Sequence, residues 1–259
     1  MRIDSHSHIF SLNGVEYHRG MPLLDYQKDI GVEMCGVIAG DDEEQELLVE
    51  TVRRYPQKFY GIGYVDHKNL YPSLKKIEGY IKEGVIRGIK MHPYVQLFQL
   101  DDPKINPIYE LALSYDIPVI FHVGWLNFNT IDPTRDMIAD YRYSCMGFPV
   151  QFGSVMERYP KLKLIAAHMG GNYYFEMLAM AERFENVYLD TAWLEHWGSH
   201  RLPPVTVQEW IEHAVKFIGS KKVLYGGEGT VPEDVLKCRL TKEQFDDILG
   251  DNAKRIYKL

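Results

Sequence analysis

The chain opens on Arg2-Ile3-Asp4-Ser5-His6-Ser7-His8. Read as a β-strand, this stretch places Asp4, His6 and His8 on one face, because side chains alternate along a strand. Same-face neighbours stand roughly 6.5–7 Å apart, near enough for two imidazoles to converge on one ion. Histidine is the commonest metal ligand and binds zinc through a ring nitrogen at about 2.0–2.1 Å. Spacing alone carries little weight, since ten histidines in a chain of 259 residues would give a His-x-His by chance about four times in ten. The weight has to come from what stands at comparable places further along.

Outward from this strand, short apolar runs alternate with amphipathic stretches, the pattern of βα units and a parallel sheet. Further strands are predicted at Met34–Ala39, Phe59–Val65, Val85–His92, Ile117–His122, Leu162–His168, Asn186–Asp190 and Lys222–Gly226. Between Glu43 and Tyr55, Leu48, Val52 and Tyr55 share one face at the 3.6-residue period, and Pro56 stops the helix. Gly84 closes the helix marked by Leu74, Ile77 and Ile81. Thr241 followed by Gln244 is a capping-box start for the last helix, and Phe10 to Gly20 reads as a loop. Eight strands, each followed by a helix or loop, fit an α/β fold, a single (β/α)8 TIM barrel over residues 1–259. No linker, repeat or low-complexity tract divides it.

Composition narrows the function. Hydrophobic residues at 46% and charged residues at 25% are ordinary globular values, ample for a sizeable core. A net charge of −7 with no Lys/Arg run of five argues against a nucleic-acid partner. Cys35, Cys145 and Cys238 are an odd number, far apart, and read as reduced thiols rather than a disulfide framework. No apolar run is long enough for a membrane span and no signal-peptide core precedes Asp4, so a cytoplasmic protein is expected, without a membrane partner. A homo-oligomer is compatible with all of this.

The chemistry-bearing residues keep to one rule. In such barrels catalytic groups stand at the C-terminal ends of the strands. His8, Lys90 with His92, His122, His168, Asp190 and Glu228 each fall at or just after a predicted strand end. Histidines scattered through a core would not do this.

These residues and their flanks resemble the metal-dependent amidohydrolase superfamily, and within it the branch related to aminocarboxymuconate-semialdehyde decarboxylase. The matching segments are Ile3–His8, Gly88–Pro93, Pro118–Gly124, Ala167–Gly171, Asn186–Thr191, Val223–Glu228 and Leu249–Ile256, in the family's order. The resemblance implies that His6, His8 and His122 are metal ligands and that His168 holds the reacting water or the substrate. It also implies an aspartate at position 228, as ligand and proton shuttle. Glu228 stands there instead, one methylene longer but still a carboxylate, in Gly226-Gly227-Glu228-Gly229-Thr230.

A single divalent ion is expected, zinc first and manganese as the alternative. Zinc with an open position lowers the pKa of bound water to about 7, and a carboxylate beside it can move the proton. The leading expectation is therefore a hydrolase for a small carboxylate-bearing molecule such as a lactone or amide. A non-oxidative decarboxylase or hydratase on the same scaffold is the second reading. A catalytically altered barrel that only binds a ligand is the third, because of Glu228. Lys90, His92, Trp125, Arg142 and Asp190 are the expected substrate-binding residues. Lys90 reads equally well as a structural lysine paired with Asp190, and Asp190 as the carboxylate that orients a ligand histidine. Trp125 and Arg142 lie in the long run Gly124–Phe148, whose guanidinium groups suit a lid that reads a carboxylate. His196, Trp197, His200 and Arg201 follow the seventh strand and have the same two readings, lid or solvated loop. His18, His67 and His213 read as surface histidines.

Overall fold

In a computed structural model, residues 1–12, 15–124 and 143–259 are described. Eight parallel strands form one sheet: β1 (Ile3–His8), β2 (Met34–Ile38), β3 (Phe59–Tyr64), β4 (Ile86–Met91), β5 (Val119–Phe121), β6 (Leu164–Ala166), β7 (Val187–Asp190) and β8 (Val223–Leu224). They pair in chain order, as successive right-handed βα crossovers require. The seam between β8 and β1 is bridged by Ser5, whose backbone N–H and hydroxyl both donate to the carbonyl of Tyr225, at 2.9 and 2.6 Å. The sheet therefore curls into the expected (β/α)8 barrel.

Two apolar layers hold it. Ile3, Ile38, Tyr60, Ile62, Ile120, Ile165, Tyr188 and Leu224 form an inner cluster, which the C-terminal helix Asn252–Tyr257 joins through Ala253, Ile256 and Tyr257. The outer cluster lies between strands and helices and includes Leu48, Val52 and Ile77, the apolar stripes that periodicity marks. Helix Asp42–Arg54 is capped by Asp41, which accepts from Glu44 N–H, and the Thr241–Gln244 capping box is present. Among the described residues no helix is long and apolar enough to cross a membrane.

Four local expectations need correction. Phe10 to Gly20 is not a plain loop: Phe10–Leu12, Val15–His18 and Met21–Pro22 pair as a small antiparallel sheet. An additional helix, Leu194–Ser199, follows β7; at six residues it is too short for periodicity to reveal. The strict alternation in β1 fails, because between Asp4 and Ser7 two residues of β1, Ser5 and His6, oppose one of β2, Gly36. Such a bulge turns the Asp4 carboxylate away from the face that His6 and His8 share. His18, read as a surface residue, is buried against Tyr26.

Candidate metal centre

Five imidazoles close a ring at the C-terminal mouth of the barrel. Ring centres are 5.4 Å apart for His6–His8, 5.9 Å for His8–His92, 5.7 Å for His92–His122, 4.8 Å for His122–His168 and 5.3 Å for His168–His6. Four barrel strands deliver them: β1 carries His6 and His8, while His92, His122 and His168 follow β4, β5 and β6. Burial lowers the pKa of all five, carrying His168 down to about 3 and the others well below the usual range. At neutral pH each is uncharged and holds a lone pair, as ligation requires.

Hydrogen bonds decide which nitrogen carries that lone pair. His6 Nδ1 lies 2.7 Å from Asp190 Oδ2, so Nδ1 is the protonated nitrogen and Nε2 is left basic. His168 Nδ1 lies 2.9 Å from the Ala192 carbonyl and must donate to it. In a neutral ring His168 Nε2 then accepts, and its partner 3.1 Å away is His122 Nδ1. That leaves the lone pair of His122 on Nε2, a buried atom with no hydrogen-bond partner.

Glu228 faces this ring, with Oε2 3.4 Å from His6 Nε2 and Oε1 3.5 Å from His8 Nε2. Oε2 is buried and makes no hydrogen bond. Burial raises the Glu228 pKa to about 7, against the opposing pull of Lys90. Lys90 is fully buried, and burial lowers its pKa to about 8 although Asp190 and Glu228 favour its charge. Its Nζ lies 3.2 Å from His6 Nε2, so its direct partner is that histidine rather than Asp190. Asp190 anchors three groups: Oδ2 takes His6, while Oδ1 accepts from the backbone N–H of His168 at 2.7 Å and of Ala192 at 3.1 Å.

The donor set fits a divalent cation. One nitrogen each from His6 and His8 and one oxygen from Glu228 all lie within 4.8 Å of one another. Of the buried side-chain polar atoms that make no hydrogen bond among the described residues, His122 Nε2 and Glu228 Oε2 belong to this mouth, and an ion there would satisfy both. His122 stands beside this three-residue group. Trp125 and Arg142 fall outside the described residues.

Two supporting groups escaped sequence reasoning. Asp4 takes Gly227 N–H and His6 N–H on Oδ1, and Ser7 and Tyr26 hydroxyls on Oδ2. The turn after β6 has positive φ at four consecutive residues, His168 to Gly171; the Gly170-Gly171 pair was its only sequence signal.

The amidohydrolase family profile matches residues 31–259. This chain belongs to the amidohydrolase family. It is 25% identical over 240 residues to a 2-amino-3-carboxymuconate-6-semialdehyde decarboxylase of Dictyostelium discoideum. That alignment covers 80% of this chain and 63% of the relative, so the chain spans less than two thirds of the relative's length. Its fold is similar to that of 5-carboxyvanillate decarboxylase from Sphingomonas paucimobilis, with TM-score 0.70, 14% identity, and 100% and 99% of the two chains covered. It is equally similar to a dihydroxybenzoic acid decarboxylase from Polaromonas sp. JS666 determined with bound manganese, with TM-score 0.71, 16% identity, and 100% and 97% covered. At these identities the two structures speak for the fold.

Proposed function

We propose that this protein is a metal-dependent, non-oxidative decarboxylase of small unsaturated or aromatic carboxylic acids. The observation that carries the proposal is the ring of neutral imidazoles faced by a carboxyl group, Glu228, which stands 3.4 and 3.5 Å from His6 and His8 and whose pKa burial raises to about 7. Hydrolysis of a lactone or amide draws on the same residues. The named relatives, decarboxylases of small aromatic or muconate-type acids, favour loss of carbon dioxide.

His6, His8 and Glu228 would hold the ion, with His122 Nε2 available as a further donor. When bound, the cation would supply positive charge that orients the substrate carboxylate and holds Glu228 mostly as the carboxylate, which takes a proton from solvent water before each turnover. Asp190 keeps His6 Nε2 unprotonated toward the centre, and the Ala192 carbonyl does the same for His122 through His168. Lys90 adds a fixed positive charge beneath the substrate acid. Glu228 delivers a proton to the carbon that bears the carboxylate. The carbon–carbon bond then breaks, its electron pair stays with that carbon, carbon dioxide leaves, and water reprotonates Glu228.

The test is carbon dioxide release by manganese- or zinc-reconstituted protein from dihydroxybenzoates, carboxyvanillates and muconate-type acids, run in deuterium oxide. Stoichiometric release with one deuterium at the vacated carbon is the expected result, abolished in Glu228→Gln. Hydrolysis of lactones or amides with no carbon dioxide from any acid would replace the proposal with the hydrolase. Inactivity on every substrate class, with metal bound, would leave a ligand-binding barrel.

A further inference from the structure

Outside the ring of five, two more histidines meet at the rim of the mouth. His196 and His200 lie four residues apart, on and just past the helix Leu194–Ser199. Residues at that spacing share a helix face, and the pair reads His-x-x-x-His, a spacing that can chelate one ion from one side. Their ring centres are 4.4 Å apart.

Each ring is already held. His200 Nδ1 lies 2.7 Å from the His196 carbonyl, which fixes the proton on Nδ1 and leaves Nε2 basic. Metal-binding histidines are typically oriented through such a bond. The His196 ring stacks on Trp193 at 4.5 Å and 23°. Burial, with His200 beside it, lowers the His196 pKa and favours the neutral ring. His196 is half-buried and His200 exposed, so an ion and its waters can reach them.

Magnitudes select the kind of ion. An ion about 2.1 Å from a ring nitrogen stands roughly 3.2 Å from that ring's centre. With one nitrogen of each ring turned to a common ion, ring centres 4.4 Å apart would subtend about 90° there, whereas a tetrahedral angle would need about 5.2 Å. A right-angled bite suits square-planar or octahedral ions such as Cu2+ and Ni2+, which bind imidazole well.

We propose that His196 and His200 form a second, peripheral site for a transition-metal dication, held by the two imidazoles and otherwise by water. The site is independent of the decarboxylase reading and of the ion at the barrel centre. It is one aromatic ring from that centre, because Trp193 lies 4.5 Å from His196 and 6.5 Å from His168.

The experiment uses full-length protein loaded with one equivalent of Mn2+ and desalted. Ni2+ is then titrated at pH 7.5 by calorimetry and tryptophan fluorescence, while the paramagnetic resonance signal of free Mn2+ is followed. The expected result is one equivalent of nickel bound at micromolar concentration, with fluorescence quenched and manganese retained. His196→Asn and His200→Asn should each weaken nickel binding at least tenfold. Nickel uptake that only releases manganese, or unchanged affinity in either variant, overturns the proposal. Failure to load manganese bears on the central site alone, since the two variants still report on the rim.

Discussion

Asp190→Asn separates the role of Asp190 as an orienting group from its role in folding. Asp190→Ala cannot do so: it strands three buried donors, His6 Nδ1–H and the backbone N–H groups of His168 and Ala192. At about 1–3 kcal/mol for each stranded donor, the loss approaches the whole stability of an ordinary domain. Asparagine keeps the shape. Its oxygen serves the two backbone N–H groups best, because turning the amide would set an NH2 against both. The NH2 then faces His6 Nδ1, and a hydrogen bond forms only if His6 moves its proton to Nε2. That is the nitrogen which must offer its lone pair to the ion, so binding has to reverse the tautomer and break the new bond. Loss of an orienting partner typically costs 10–100-fold in metal affinity, or about 1.4–2.7 kcal/mol. Competition against a chromophoric chelator measures this directly, with urea unfolding as the control for folding. Affinity within threefold of wild type, in a variant that still unfolds cooperatively, would refute the tautomer argument and leave Asp190 as a purely structural carboxylate.

Glu228→Gln should weaken metal binding at least tenfold by the same chelator assay without lowering stability, because the carboxylate it removes is buried with Oε2 unpaired. The metal-free protein should be acid-labile. His6, His8, His18, His92, His122 and His168 all have folded-state pKa values below the unfolded value of 6.5. Below that pH the unfolded chain binds more protons and each group costs about 1.4 kcal/mol per pH unit. Glu228, raised to about 7, and Asp4 and Asp190, also raised by burial, work the other way but are three groups against six, so circular dichroism should show cooperative unfolding as pH falls from 6.5 towards 4.5, at higher pH than in Glu228→Gln. Gly170→Ala should lose about 2 kcal/mol or more in urea unfolding: φ is +87° and the added methyl would fall 2.6 Å from Met177 Cγ.

The barrel was legible because its signals are local and repeated. Apolar strand runs and amphipathic helices recur through the chain, and a cap such as Thr241–Gln244 needs only four consecutive residues. The site was legible in outline for a related reason: strand ends gather at one mouth, so His8, His92, His122 and His168 could be brought together without contact information. What stayed hidden depends on partners remote in sequence. The bulge between Asp4 and Ser7 is dictated by pairing with β2 and by the hold of Asp4 on Gly227, 223 residues away. His18 looked like a surface residue because nothing nearby in the chain announces that it packs on Tyr26. The Lys90 contact with His6 rather than Asp190 is a matter of a few ångströms inside a barrel, below what strand order resolves.

Glu228, where the resemblance implies an aspartate, has a structural context in the turn that carries it. Gly227 N–H is tied to Asp4 Oδ1 at 2.7 Å, and a Cβ at position 227 would fall 2.3 Å from Asp4 Oδ2. Only glycine tolerates so close an approach, and it fixes the backbone of this turn against the Asp4 carboxylate. Glu228 then follows with φ +35°, a left-handed conformation that a non-glycine residue adopts at some cost. From that anchored backbone the glutamate carboxylate reaches both histidines of β1, at 3.4 and 3.5 Å. A side chain shorter by one carbon–carbon bond, about 1.5 Å, would have to close that gap by moving the turn, which the Asp4 bonds resist. The longer acid and the bulged first strand are therefore parts of one arrangement: the bulge frees Asp4 to hold the turn, and the added methylene carries the carboxylate back to His6 and His8.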